Sequence, residues 1–214
     1  MARTSTGKVL EFPRRPLAPA PRSGPDDPSP SGTPADAARL GVVLFIGSEV
    51  MLFASLLAVY SAFRFGNLTW PSAQLYLPVT VTWVNSFFLF FSCYTMRQAV
   101  LTGRKNQHSL LVMYLTVTAA LGTLFLSVQG YEWIQLIRDG FTITTGIYGA
   151  TFYLLIGCHA LHVLGAVIWL LVVVRLARQQ RFPSHRFVGV ELCAWYWYFV
   201  GGLWVILFAL VYLN

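Results

Sequence analysis

The sequence predicts an all-α membrane protein, a bundle of five transmembrane helices with its N-terminus inside the cell and its C-terminus outside. Three observations predict it. Of the 214 residues, 56% are hydrophobic and only 11% charged, and the mean hydropathy is +0.61, values that do not fit a water-facing surface. The apolar residues gather into five segments, each long enough for a hydrocarbon core about 30 Å thick at a rise of about 1.5 Å per residue. Thirteen of the fifteen Lys and Arg residues fall in the N-terminal tail and in the connections after the second and fourth segments, an asymmetry that places this side in the cytoplasm.

The same figures exclude whole classes of function. A soluble enzyme does not fit the composition. The net charge of +7 does not indicate nucleic-acid binding, because the basic residues lie in the tail and short loops, where they set topology. Cys93, Cys158 and Cys193 are an odd number and all lie in apolar stretches, which reads as buried, reduced thiols.

Residues 1–38 hold eight of the eleven prolines and no apolar run, so they are expected to form a disordered cytoplasmic tail. They lack the hydrophobic stretch of a cleaved secretory signal. The transmembrane domain is expected over 39–214. Its first helix, 40–63, carries Glu49 as its only charge. The second, 76–96, has Pro78 in its first turn, where a missing N–H is tolerated. The third, 109–137, contains only Glu132. The fourth, 146–174, has no formal charge but carries His159 and His162. The fifth, 187–213, opens with Glu191. Short connections make consecutive helices antiparallel neighbours. No inverted repeat is visible, and five helices do not divide into the equal halves common in carriers.

Within these helices the polar residues are the candidates for function. Glu49 lies about 14 Å into the membrane, where a carboxyl must be protonated, paired or close to water. It reads either as a proton-linked or lipid-contacting group or, more plainly, as a protonated packing residue. His159 and His162 are three apart and are expected to share a helix face at a similar depth. They read as structural or proton-linked; the competing reading, chelation of a metal with Glu132 or Glu49 as third ligand, has no supporting ligand set. Gln129 and Glu132 are likewise three apart, and Thr116, Ala119, Thr123 and Ser127 are expected to form a small-residue packing face on helix 3. Glu191 is expected in the first turn of helix 5, favoured by the helix dipole and paired with Arg186. Asn85 and Tyr198 complete the set of structural polar candidates, and no residue is assigned as catalytic or as a metal ligand.

At these residues the chain resembles subunit III of haem-copper respiratory oxidases. Phe45-Ile46-Gly47-Ser48-Glu49-Val50-Met51-Leu52-Phe53 is similar to that family's glutamate-bearing helix. Leu77-Pro78 with Asn85 and Ser92 resembles the next helix, and Gly122, Phe125, Gln129, Glu132 and Trp133 resemble the one after it, with Trp in place of Tyr. Gly157-Cys158-His159-Ala160-Leu161-His162-Val163 is similar to its His-Gly-x-His-Val element. Glu191 through Trp204 resembles its aromatic signature, except that Tyr198 replaces a histidine and Gly201 an aspartate. The resemblance covers 40–213 in order, as in five-helix bacterial forms.

That resemblance implies a multi-pass subunit of the bacterial plasma membrane that carries no haem or copper of its own. Haem and copper are expected in partner subunits. It implies packing on oxidase subunit I beside other respiratory-complex subunits, phospholipid held in a cleft, and support for proton uptake during O2 reduction; nucleic acid is not among the implied partners. Glu49, His159 and His162 then read as lipid-cleft or proton-linked residues. Relatives associated with quinol oxidases or nitric oxide reductase remain alternatives, as does a small proton-coupled transporter. The predicted orientation makes Gln107→Cys and Ser184→Cys inaccessible to a membrane-impermeant thiol reagent in intact cells; ready labelling from outside would reverse the topology.

Overall fold

A computed structural model describes residues 33–66, 79–179 and 187–212. Five helices follow one another: α1 (Pro34–Gly66), α2 (Val79–Arg104), α3 (His108–Arg138), α4 (Ile147–Arg178) and α5 (Phe187–Leu207), the last continuing into a π-helical turn (Phe208–Tyr212). Helices α2, α3, α4 and α5 pack as a ring in which α2 meets both α3 and α5, while α1 lies outside the ring against α4 and α5.

Helices α1, α2 and α4 extend past the expected spans at the end of the bundle that carries most of the basic residues. Helix α1 begins at Pro34 rather than residue 40, because Thr33-Pro34-Ala35-Asp36 forms a capping box: Asp36 N–H donates to the Thr33 hydroxyl (3.3 Å) and Thr33 N–H to the Asp36 carboxylate (3.1 Å). Proline is tolerated as the first helical residue, where no intrahelical N–H is needed. The tail expected to be disordered up to residue 38 is therefore helical from 34, and its residues 1–32 lie outside the described residues. Helix α2 continues to Arg104 instead of stopping near 96, since Met96, Ala99 and Thr102 keep burying one face. Only Lys105, Asn106 and Gln107 are left to turn the chain, with Asn106 at a left-handed φ of 55°, a conformation asparagine adopts more readily than most residues. Helix α4 likewise runs on to Arg178. The expected position of Pro78 lies outside the described residues.

Among the described residues, α1, α3, α4 and α5 with its π-helical turn are long and apolar enough to cross a membrane. Helix α2 differs because it faces inward with its polar side. Thr82, Asn85, Ser86, Ser92 and Thr95 are buried, while Trp83, Phe87, Phe90, Phe91 and Tyr94 are exposed. In lipid this arrangement is economical: polar groups bond to neighbouring helices and the apolar rings meet the hydrocarbon.

The ring is closed by indoles. Trp197 Nε1 donates to the Ser92 hydroxyl (3.1 Å) and Trp204 Nε1 to the Ser86 hydroxyl (2.8 Å), both joining α5 to α2. Thr95 and Thr118 share a hydroxyl bond of 2.8 Å between α2 and α3. Each exchange is worth little, about 0.6 kcal/mol on average in a membrane, but a buried N–H left unpartnered costs about 1–3 kcal/mol. The contacts therefore specify which helices pair.

Two glycines allow the helices to approach. A Cβ at Gly122 would lie 2.9 Å from Cζ2 of the Trp197 indole, and one at Gly201 would lie 2.7 Å from Cys93 Sγ. The expected small-residue face of α3 packs only in part: Ala119 is buried, whereas Thr123 and Ser127 are exposed and bond to the carbonyls four residues back (2.8 and 2.9 Å). The seam instead uses Leu115, Thr118, Gly122, Phe125, Gln129 and Glu132, spaced three or four residues apart as one helix face requires. Gly201→Ala is expected to lower the thermal midpoint of the detergent-solubilised protein, at a cost of about 1–3 kcal/mol of overpacking, and Cys93→Gly in the same chain to recover most of it. Equal midpoints for Gly201→Ala and the parent would show that the Cys93 thiol swings aside without cost.

Candidate functional site

Helix α1 buries little, only Phe53 and Tyr60, and its attachment is polar at three levels. At its start, Arg39 reaches Glu191 of α5 (3.4 Å). In its middle, Glu49 Oε2 lies 2.7 Å from His162 Nε2 of α4. Near its end, Arg64 Nη1 donates to the Leu210 carbonyl (3.0 Å), in the π-helical turn. Residues 39, 49, 53, 60 and 64 fall close to one stripe of the helix, which is why a single face meets all three partners.

The middle contact brings together two of the sequence-predicted residues. His162 Nδ1 is 2.7 Å from the Cys158 carbonyl, and a carbonyl only accepts, so Nδ1 carries a hydrogen. Nε2 then faces the carboxyl at 2.7 Å, a distance that requires one proton between them. With that proton on the imidazole the contact is an ion pair, and with it on the carboxyl the contact is a neutral hydrogen bond. Both forms carry zero net charge, the condition under which a carboxyl and an imidazole are tolerated away from water. Phe53 packs edge-on against the imidazole with ring centres 5.0 Å apart. The side chains of Glu49 and His162 remain 13% and 17% exposed, so the pair is not sealed inside the bundle.

His159 is elsewhere. Three residues along a helix is a rotation that leaves the two imidazoles about 60° apart, and this turns His159 into the ring of four helices, at 1% exposure. Its ring stacks on Trp204 at 5.2 Å. The expectation that the two histidines act on one face is thus corrected: α4 presents one to α1 and the other to α5. Among the described residues neither nitrogen of His159 has a hydrogen-bond partner, and the same holds for Asn85 Oδ1, Gln129 Oε1 and Trp133 Nε1. Also among the described residues, no group of three or more His, Cys, Asp or Glu side chains is placed to hold a metal ion.

The structural polar candidates divide. Glu132 is buried, accepting from Gln129 Nε2 (3.0 Å) and the Thr82 hydroxyl (3.2 Å), while Asn85 Nδ2 donates to the Phe125 carbonyl (3.2 Å). The Thr82 and Asn85 bonds tie α2 to α3. Glu191 is not in the first turn of α5 but four residues beyond its first residue, Phe187, where the dipole of the helix terminus has fallen away. Its partners are Arg104, with Nη2 at 2.9 Å and Nε at 3.2 Å, and Arg39; Arg186 lies outside the described residues. The sequence does not indicate these partners, because they come from helices far away along the chain. Tyr198 is 37% exposed, so the aromatic replacing the histidine of the resembled signature points away from the core. Ser86 and Thr82 were not anticipated either; their signal was their spacing with Asn85 and Leu89 on the inward face of α2.

The family profile described as Cytochrome c oxidase subunit III matches residues 32–214. A Corynebacterium diphtheriae protein named Cytochrome c oxidase subunit 3 is 31% identical over 177 residues, covering 81% of this chain and 86% of that protein. Proteins of the same name from Synechocystis (34% identical, 83% of this chain, 76% of that one) and Drosophila melanogaster (33%, 81% and 68%) are similar as well. With the ordered helices, the inward polar residues of α2 and α3, and a family match that spans the whole described domain, the chain belongs to the cytochrome c oxidase subunit III family.

Proposed function

We propose that this chain is an accessory, cofactor-free subunit of a bacterial terminal oxidase. In this reading it packs on subunit I in the plasma membrane, holds phospholipid beside the Glu49–His162 pair, and sustains proton uptake while the partner subunits, which carry the haem and copper, reduce O2. The observation that supports this most directly is the pair itself: a carboxyl and an imidazole 2.7 Å apart on the seam between α1 and α4, net neutral and only partly buried.

What the residues can do follows from that geometry. Moving the shared proton between Oε2 and Nε2 needs no change in net charge, so the pair stays compatible with low dielectric in either form. Loss of the proton leaves an anion that only water or a lipid headgroup can stabilise. The pair therefore responds to whatever fills the space beside α1, and couples that occupancy to the hold of α1 on the bundle. His159, stacked in the core, is read as a packing residue that fixes α5, and Asn85, Gln129, Glu132 and Glu191 as the bonds that keep α2, α3 and α5 in register.

Glu49→Gln retains a donor for His162 Nε2 and is expected to assemble with the complex. Glu49→Ala leaves the imidazole unpartnered, at a cost of about 1–3 kcal/mol, and is expected to lower the yield of assembled subunit. An apolar carbodiimide should modify Glu49 in preference to buried Glu132 and arginine-paired Glu191, as read by peptide mass. In the assembled Glu49→Gln complex, initial O2 consumption should match the parent while activity decays sooner during sustained turnover. Assembly lost in Glu49→Gln would mean that ionised charge holds the site, and unchanged decay would remove the proposed role in turnover.

The isolated chain should be free of haem and metal. Stoichiometric metal lost on replacing His159 or His162, measured by elemental analysis, would overturn the cofactor-free reading.

A further inference from the structure

In the ring of four helices, α2 and α4 stand opposite one another, with α3 and α5 between them. At the depth where the Trp204 indole of α5 donates to the Ser86 hydroxyl of α2 (2.8 Å), three polar side chains are almost completely enclosed. Asn85 of α2, Gln129 of α3 and His159 of α4 are 1%, 3% and 1% exposed. We propose that water molecules are bound here, bridging the His159 imidazole to the amide oxygens of Asn85 and Gln129. The proposal goes beyond the function argued above and needs only the packing of the ring.

The contacts put these residues at one level. The His159 ring stacks on the Trp204 indole at 5.2 Å, and Phe125 meets the same indole edge-on at 5.1 Å. Asn85 Nδ2 donates to the Phe125 carbonyl (3.2 Å), and Gln129 lies one turn beyond Phe125 on the same face of α3. The imidazole, the two amides and the indole thus come from four helices and meet around the axis of the ring.

Their hydrogen-bonding capacity is only half used. The amide nitrogens are engaged, Asn85 Nδ2 as above and Gln129 Nε2 with Glu132 (3.0 Å). Among the described residues, Asn85 Oδ1, Gln129 Oε1 and both nitrogens of His159 have no partner. Buried polar atoms in folded proteins are nearly always paired, by ordered water where the protein supplies no group. Side chains so enclosed are out of reach of a lipid or a neighbouring subunit, so the occupant is a small molecule held between the helices. Its chemistry follows from the atoms offered. Amide oxygens only accept, whereas a neutral imidazole donates from one nitrogen and accepts at the other. Water does both. A cation would leave the imidazole N–H unanswered, and an anion would be repelled by the two amide oxygens. The nitrogens of one ring diverge too widely to share a molecule, so the site takes about two waters, each making roughly three hydrogen bonds.

Such water supplies what α4 otherwise lacks in mid-bundle. The bonds that tie it toward α3 lie nearer its ends, from Arg178 Nη2 to the Thr116 hydroxyl (3.2 Å) and from the Tyr153 hydroxyl to the Phe141 carbonyl (2.7 Å). Through water, His159 joins Asn85 and Gln129, and through Gln129 the Glu132–Thr82 bond. A bridging water is nearly as good a link as a direct bond, and polar links are what register helices in hydrocarbon.

Cryo-electron microscopy of the purified oxidase complex, at a resolution that places ordered water, is expected to show a water oxygen within about 2.7–3.2 Å of a His159 nitrogen and of Asn85 Oδ1 or Gln129 Oε1. Solid-state NMR of the complex with 15N-histidine gives a second readout. The His159 ring N–H, assigned by its loss in His159→Phe, should receive magnetisation from water protons faster than the backbone N–H of the same residue. His159→Phe keeps a ring against Trp204 and removes both nitrogens, and in the assembled variant the water beside residue 159 should disappear. Should that variant fail to assemble, the map of the parent complex decides. Direct bonds from both His159 nitrogens to protein groups, an interior without water density, or a hydrocarbon chain in its place overturns the site. Water that stays in position in His159→Phe would show that the amides alone hold it and would overturn the bridge to α4.

Discussion

Helices surrounded by hydrocarbon gain almost nothing by burying apolar surface against one another, because the lipid is as apolar as the partner helix. The arrangement of this bundle rests on that constraint. What separates the packed state from five independent helices is the pairing of polar groups and the fit of large rings against small residues, and both are concentrated in the ring of α2 to α5. Indole N–H groups reach serine hydroxyls, a carboxyl is shared between Gln129 and Thr82, and Trp197 lies over Gly122. Removing the partner from any of these leaves a polar atom that the surrounding solvent cannot satisfy.

Helix α1 shows the same rule under weaker conditions. With two buried residues over 33, it depends on Glu191, His162 and the Leu210 carbonyl as partners, one at each depth. The two outer contacts employ arginines that can extend to water. The middle one cannot, and so it is a carboxyl and an imidazole sharing one proton, the form of polar contact that carries no net charge. The contact most sensitive to its surroundings is therefore also the one nearest the centre of the helix. Helix α4 serves both sides of this division. His162 faces the loosely held helix and His159 the tight ring, so the same element registers α1 on one face and α5 on the other. The basic end of the bundle adds a third feature, a carboxylate bridged by arginines from α1 and α2, which joins the first, second and fifth helices where the chain meets water.

Much of this was legible in the sequence. Five apolar segments with short connections determined an antiparallel all-α bundle, because only helices satisfy their own backbone groups in hydrocarbon. The spacing of Gln129 and Glu132 placed them on one face. The depth of Glu49 marked it as a residue that must be protonated, paired or close to water, and the structure places His162 against it. The helix ends were less legible, because Thr33 and Asp36 bond to each other in a capping box that hydropathy does not register.

The identity of the partners was decided by tertiary structure alone. Periodicity fixes which residues share a face but not which helix that face will meet, so the choice of His162 rather than His159 for Glu49 depended on where α1 lies outside the ring. Packing brings Arg39 and Arg104, 152 and 87 residues away along the chain, to Glu191, while the nearby Arg186 expected as its partner lies outside the described residues. Thr123 and Ser127 satisfied their hydroxyls on their own helix and faced outward, a choice open to any serine or threonine in a helix. The sequence by itself determined the number of helices, their material and the polar groups that had to be paired; the tertiary structure decided the pairing, because a hydrogen bond between helices depends on rotation and depth that no single helix specifies.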